Sequence, residues 1–329
     1  MKRRFLAVLA CLITVLASLP ALAQNYPERP IRVILPIAPG SVSDVIARVA
    51  ANELSPKFGQ PVVIENRPGA NFIIGAQACA SAPPDGYTVC MVNNNSLSIN
   101  PLIYNSLPYD AAKDFTPITN LYLLVEALAV SSNVGINSVA ELQAMARAKP
   151  QALNFGTLGD GSYPDLFLHW LNHKWKTKLD GIPYRGGGPI ALALASNEIQ
   201  VSDMGLGNFI ELAAAQKLKI LAVSGQRSKL VPDVPTFDEV GIGDFPGRVW
   251  WGLVGPKGMS PAVVDRINAE FVRVWRDPKF LEFLEKQAVE SVPGTAEEFA
   301  EFLRKDRGAS ENLVALANAP RSDYVAPKQ

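Results

Sequence analysis

The stretch over residues 31–49, IRVILPIAPGSVSDVIARV, constrains the fold more than any other. Its first five residues are an apolar run of strand composition. Proline and glycine break the chain from Pro36 to Ser43. Val45, Ile46, Val49 and Ala50 then recur at helical spacing behind Asp44, a helix-starting residue. A strand, a tight loop and a helix start together aim several backbone N–H groups at one spot. Free amides and the helix dipole make such a spot attractive to carboxylate or phosphate. Any first βα turn of an α/β protein has the same pattern, so taken alone it indicates architecture before function.

The alternation continues along the chain. Strand patterns at 61–65 and 87–92 flank a helical pattern at 72–80, which makes a βαβαβ unit with a parallel sheet. A crossing strand is expected at 115–120. Strands at 127–131, 153–156, 181–183, 201–204 and 220–223 then alternate with helices at 139–148, 166–174, 190–195 and 209–215, a second α/β unit of the same style. The tail, at 261–275, 278–287 and 296–317, reads as helical.

The first 23 residues stand apart. Lys2, Arg3 and Arg4 precede an apolar core, and Ala21-Leu22-Ala23 is a small-x-small cleavage site, the pattern of a secretory signal peptide. Cys11 lies inside the apolar core with more apolar residues after it, which does not fit a lipid anchor. The mature chain then starts at Gln24 with 28 basic and 31 acidic residues, a mildly acidic balance that argues against nucleic acid. Its length suits two domains, and 48% hydrophobic residues suffice for their cores. An exported protein, periplasmic in a Gram-negative cell, is expected.

Two cysteines remain after cleavage, Cys79 on a helical pattern and Cys90 on a strand pattern. Two buried thiols is the favoured reading and a disulfide the alternative, because pairing needs geometry that spacing does not supply. There is no CxxC and no Cys/His cluster, which argues against structural zinc. His169 and His173 stand i, i+4 without the Glu of HExxH and are expected to be a surface pair. Enzymatic signatures are missing too. No nucleophile elbow, dinucleotide fingerprint or P-loop occurs, and the glycine run 186–188 lacks the lysine and spacing of a phosphate loop. No enzyme activity and no cofactor are expected.

Four polar loops follow strands: 37–43, 93–96, 158–162 and 184–188. They are rich in Gly, Ser and Asn and poor in Lys and Arg. Ligands of open parallel sheets sit outside the carboxyl ends of strands. Two domains built this way can turn these loops toward each other across a cleft, where backbone and hydroxyl donors hold a carboxylate.

The mature chain resembles the Bug family, periplasmic solute receptors of tripartite tricarboxylate transporters. The resemblance rests on Tyr26-Pro27-Glu28-Arg29-Pro30, Pro36-Ile37-Ala38-Pro39-Gly40 with Asp44, and Glu65-Asn66-Arg67-Pro68-Gly69. Pro83-Pro84-Asp85-Gly86-Tyr87-Thr88, Leu107-Pro108-Tyr109-Asp110, Pro183-Tyr184-Arg185-Gly186 and Pro232-Asp233-Val234-Pro235-Thr236 extend it over residues 26–315. It implies a type 2 periplasmic-binding-protein fold, two α/β domains with a ligand cleft between them. Residues 24–124 plus 253–329 would form the first domain and 125–252 the second. It further implies a monomeric receptor that delivers a small organic carboxylate to transporter membrane subunits, or alternatively feeds a sensor kinase.

Carried onto this chain, the first wall of the site is Ile37, Ala38, Gly40, Ser41 and Asp44. The opposite wall is Asn94, Asn95, Ser96, Gly159, Ser162, Asp165, Gly187, Gly188 and Met204. The chain departs from the family pattern at Gly40-Ser41 in place of Gly-Gly, at Asp165 where His is common, and at Asp203-Met204-Gly205 in place of Phe-Asp-Asn. Met204 softens its wall. Asp165 would repel a second carboxylate or accept from an amine or hydroxyl. The expected ligand is therefore an acid with one carboxylate and an apolar or aromatic body, rather than a citrate-like tricarboxylate.

Overall fold

Among the described residues, eleven strands fall into two mixed sheets. The computed structural model describes residues 26–245 and 248–324, so the expected signal peptide and its cleavage site lie outside the described residues. The first sheet joins β1 (Ile31–Leu35), β2 (Val62–Asn66), β3 (Thr88–Asn93), β4 (Phe115–Leu124), β10 (Trp250–Pro256) and β11 (Val289–Ser291) in the order β11-β4-β10-β3-β1-β2. The second joins β5 (Glu126–Ser131), β6 (Asn154–Thr157), β7 (Asp180–Pro183), β8 (Val201–Gly205) and β9 (Leu218–Val223) in the order β7-β6-β8-β5-β9. The chain passes from the first sheet to the second at Val125 and returns ahead of Trp250. Each sheet with its helices is called a lobe below.

The parallel core of each lobe follows the sequence pattern. In lobe one β1 runs parallel to β2 and β3, and in lobe two β6 runs parallel to β7 and β8. The strands that connect the lobes do not follow it. β10 is antiparallel to β3 and β4, and β5 is antiparallel to β8 and β9. Apolar periodicity reports which face of a strand is buried but not which way it runs, so the first βαβαβ unit is parallel as expected while the second unit is corrected at β5. β10 itself, WWGLVGP, is buried along its whole length, and its two glycines hide its strand character.

Two helices position the loops that matter. α1 (Val42–Phe58) follows β1 and ends on Gly59, whose left-handed φ of 68° terminates the helix. α5 (Tyr163–Trp175) follows β6. The last helix, α10 (Ala296–Ala317), starts with a capping box of Thr295 and Glu298, packs on β4 of lobe one and reaches α5 of lobe two. One apolar cluster runs through both lobes, from Leu35 and Ile37 to Leu128 and Phe155.

The cysteines are joined, which corrects the expectation of two free thiols. Helix α2 (Ile73–Ala80) carries Cys79 across the sheet onto β3, where Cys90 stands with its Cα 6.1 Å away. The bridge spans 11 residues of sequence. A loop of that size removes about 3 kcal/mol of unfolded-chain freedom. Replacing both cysteines by alanine is expected to lower the unfolding free energy in urea by about 2–3 kcal/mol without changing the fold seen by circular dichroism.

Candidate functional site

The same five-residue turn occurs once in each lobe. After β1 comes Gly40-Ser41-Val42-Ser43-Asp44, and after β6 comes Gly161-Ser162-Tyr163-Pro164-Asp165. Gly40 and Gly161 take positive φ, 80° and 71°, which lets the chain reverse at the end of the strand. Ser41 and Ser162 are extended and precede α1 and α5 without capping them by their side chains. The aspartate in the first helical turn reaches back four residues. Asp44 Oδ2 accepts from Gly40 N at 3.0 Å, and Asp165 Oδ2 accepts from Gly161 N at 2.7 Å.

The two aspartates differ in what else they hold. For Asp44, burial pushes the carboxyl up, but Arg48, Asn66 Nδ2 at 2.8 Å and the Gly40 amide outweigh it and hold it below the usual carboxylate range. Asp165 has the Gly161 amide and His169 Nε2 at 3.6 Å, too little to offset burial, and it titrates above that range. Asp165, like Asp44, is engaged with its own turn and does not border the cavity described below. His169 faces that carboxylate, and no cluster of three metal-ligating side chains exists among the described residues.

The two helix starts point across the gap at asparagines of the other lobe. Val42 N of α1 donates to Asn208 Oδ1 at 3.0 Å, and Tyr163 N of α5 donates to Asn95 Oδ1 at 3.2 Å. Further bonds clasp the lobes. Ala38 N donates to Arg185 O at 3.0 Å, Asn95 Nδ2 to Gly161 O at 3.0 Å, and Asn71 Nδ2 to Asp160 O at 3.2 Å. The glycine run 186–188 is the seat of this clasp. A Cβ on Gly188 would stand 2.7 Å from the Gly40 carbonyl oxygen, and one on Gly186 would stand 2.6 Å from Ser41 Oγ.

Between the lobes lies a cavity of about 30 Å³, room for about two water molecules. Of the residues expected at the site, Ile37, Ser41, Asn95, Gly187 and Met204 border it. Ala38, Gly40 and Gly188 belong to the clasp above it. Gly159 borders a wider groove of about 650 Å³ at the mouth, with Tyr104 and Arg185. Asp44 and Ser162 brace their turns, Ser162 Oγ accepting from Leu158 N at 3.2 Å. Ser96 is bound to Asn93 and, through its carbonyl, to Tyr109. Asn94 is buried with its Oδ1 unpartnered. These four stand off the cavity.

Ser43 and Asn93, from the expected loops, and Tyr163, read from the sequence as aromatic surface, also border it, whereas sequence reasoning missed Phe72, Glu126, Asn208 and Trp251. Glu126 is 3% exposed and Asp203, behind it on β8, is 0% exposed. Glu126 Oε1 and both Asp203 carboxylate oxygens are buried without a hydrogen-bond partner. Burial pushes both acids well above the usual carboxylate range, and Asp203 pushes Glu126 further by its charge. No cation offsets this for either group among the described residues. The folded protein therefore keeps a proton that the unfolded chain releases, so stability falls as pH rises from the ordinary carboxylate range through the folded-state value. Urea unfolding of the ligand-free protein is expected to lose about 1.4 kcal/mol per pH unit for that proton, and Asp203→Asn to flatten the slope.

A family profile described as "Tripartite tricarboxylate transporter family receptor" matches residues 46–318. The chain is 33% identical over 315 residues to a UPF0065 protein of Bordetella bronchiseptica, covering 94% of this chain and 92% of that one. The solved periplasmic binding protein BugD superposes with a TM-score of 0.86 at 27% identity, over 90% of this chain and 100% of its own. A protein of R. palustris solved with adipate superposes with a TM-score of 0.85 at 26% identity, over 90% and 99%. With its paired turns facing each other across a clasped cleft, the chain belongs to the receptors of the tripartite tricarboxylate transporter family, the Bug proteins.

Proposed function

We propose that the protein is a periplasmic receptor, acting as a monomer, that closes over a small organic carboxylate and presents it to the membrane subunits of a tripartite carrier. The observation that carries this reading is the pair of helix starts, each spending its first amide on an asparagine of the opposite lobe. A ligand carboxylate satisfies such an amide at least as well, because a charged acceptor makes the stronger hydrogen bond and the helix dipole favours it. The ligand thus replaces Asn208 on α1, beside the Ser41 hydroxyl, and bridges the lobes in place of the asparagine. The division expected from the sequence, 24–124 with 253–329 against 125–252, is the working division of those lobes, with the strand from Trp250 given to the first.

The walls favour one carboxylate. Phe72, Tyr163, Met204 and Trp251 offer apolar and aromatic surface, and Glu126 in the same wall brings no cation to pair a second carboxylate. An acid with an apolar body fits this better than citrate. A body of that size exceeds the closed cavity, so the liganded lobes stand further apart than they do here, and binding selects among hinge positions.

Thermal-shift measurements should show stabilisation by benzoate-like acids and none by citrate; stabilisation by citrate alone would refute the ligand class. Gly188→Val, placed against the Gly40 carbonyl, should disfavour the clasped ligand-free form and lower its melting temperature by a few degrees.

A further inference from the structure

We propose that the solute carries a cationic nitrogen opposite its carboxylate, and that Glu126 and Asp203 form the subsite that receives it. The inference rests on the receptor reading above and specifies its ligand. Strand register builds the pair. Glu126 faces Gly205, and Leu128 faces Asp203, on antiparallel β5 and β8. Side chains two apart on a strand share a face, so Glu126 and Asp203 lie diagonally on one face of the sheet. Gly205 has no side chain to fill the position beside Glu126. That leaves the Glu126 carboxyl at the cavity wall with Asp203 behind it.

Two unpaired carboxyls in a protein interior are costly, and such groups are retained where something pairs with them. Here nothing of the chain does so among the described residues. Glu126 is fully enclosed, borders the cavity and keeps Oε1 without a partner. The remaining walls point to the same occupant. The rings of Trp251, Tyr163 and Phe72 border the cavity beside the acid, and aromatic faces attract organic cations. A metal ion is a poor fit, since calcium takes six to eight oxygen ligands and no third acidic, histidine or cysteine ligand stands with the pair. An ammonium group supplies what the pair lacks: positive charge and several N–H donors at once. With a carboxylate at the α1 start and an ammonium at Glu126, the solute is a zwitterionic amino acid whose two charges sit at opposite ends of an apolar body.

The test uses the full mature chain and matched acids. Calorimetry compares para-aminomethylbenzoate with para-methylbenzoate and terephthalate, and γ-aminobutyrate with butyrate and succinate. The amine-bearing member of at least one series is expected to bind about tenfold or more tighter than both its partners. Glu126→Gln and Asp203→Asn should each erase that preference, bringing the amine-bearing acid to the affinity of its amine-free partners or below it. Where a variant fails to fold, the wild-type preference alone decides. Equal or tighter binding of the amine-free acids overturns the inference and leaves the carboxylate receptor standing. A protein that binds no acid of either kind overturns both.

Discussion

The bond from the Gly40 amide to the Asp44 carboxylate sets the shape of the first turn, and its counterpart from Gly161 to Asp165 sets the second. Each is local, closed over four residues, and each fixes where a helix begins relative to the end of a strand. Once those starts are fixed, their first amides have nowhere to turn within their own lobe. They must be satisfied from across the gap, by an asparagine in the closed protein or by a solute. Ligand recognition and lobe closure thus share one set of donors. That sharing is the physical basis on which a solute can shift the hinge, since a ligand moves an equilibrium only by what it gains differently in the two states.

The clasp shows how closely the two requirements are matched. The bonds across the gap are neutral, amide to carbonyl or amide to asparagine, each contributing about 1 kcal/mol net. A handful of such bonds holds the lobes together yet yields to a charged acceptor. Ion pairs across the gap would bind more rigidly and would respond to salt as well as to solute. The glycines of 186–188 serve the same end. They bring backbone against backbone at Gly40, so closure is sensed by main-chain contact and needs no flexible side chain.

Much of this was legible in the chain, and the failures have physical causes. The strand, loop and helix at 31–49 could be placed from periodicity and turn chemistry alone. Its repeat at Gly161-Ser162-x-x-Asp165 was equally visible as spacing. Spacing alone does not show that Asp44 and Asp165 each reach back to the glycine four residues before them. Glu126 was missed because the strand pattern begins at Ala127, and a lone acid between two strands looks like a connector. Asp203 stands beside Met204, and alternation sends the two to opposite faces, so attention to one concealed the other. The Cys79–Cys90 bridge and the antiparallel β5 and β10 depend on distance and direction, which residue patterns do not encode.

The acid pair also separates this receptor from one that takes polycarboxylates. An acid whose several carboxylates must all be desolvated needs a donor for each, and the cleft supplies amides only at its helix starts. At the far wall it presents acceptors. Acceptors facing a second carboxylate would leave both groups buried and unpaired, a larger penalty than the first carboxylate can offset. Neutralising the wall by protonation relieves the repulsion without supplying a donor for every oxygen. On the proposed reading, charge complementarity along the long axis of the cleft, donors at α1 and acceptors at β5 and β8, would discriminate among acids of similar length, with the apolar rings between the two ends tolerating whatever body joins them.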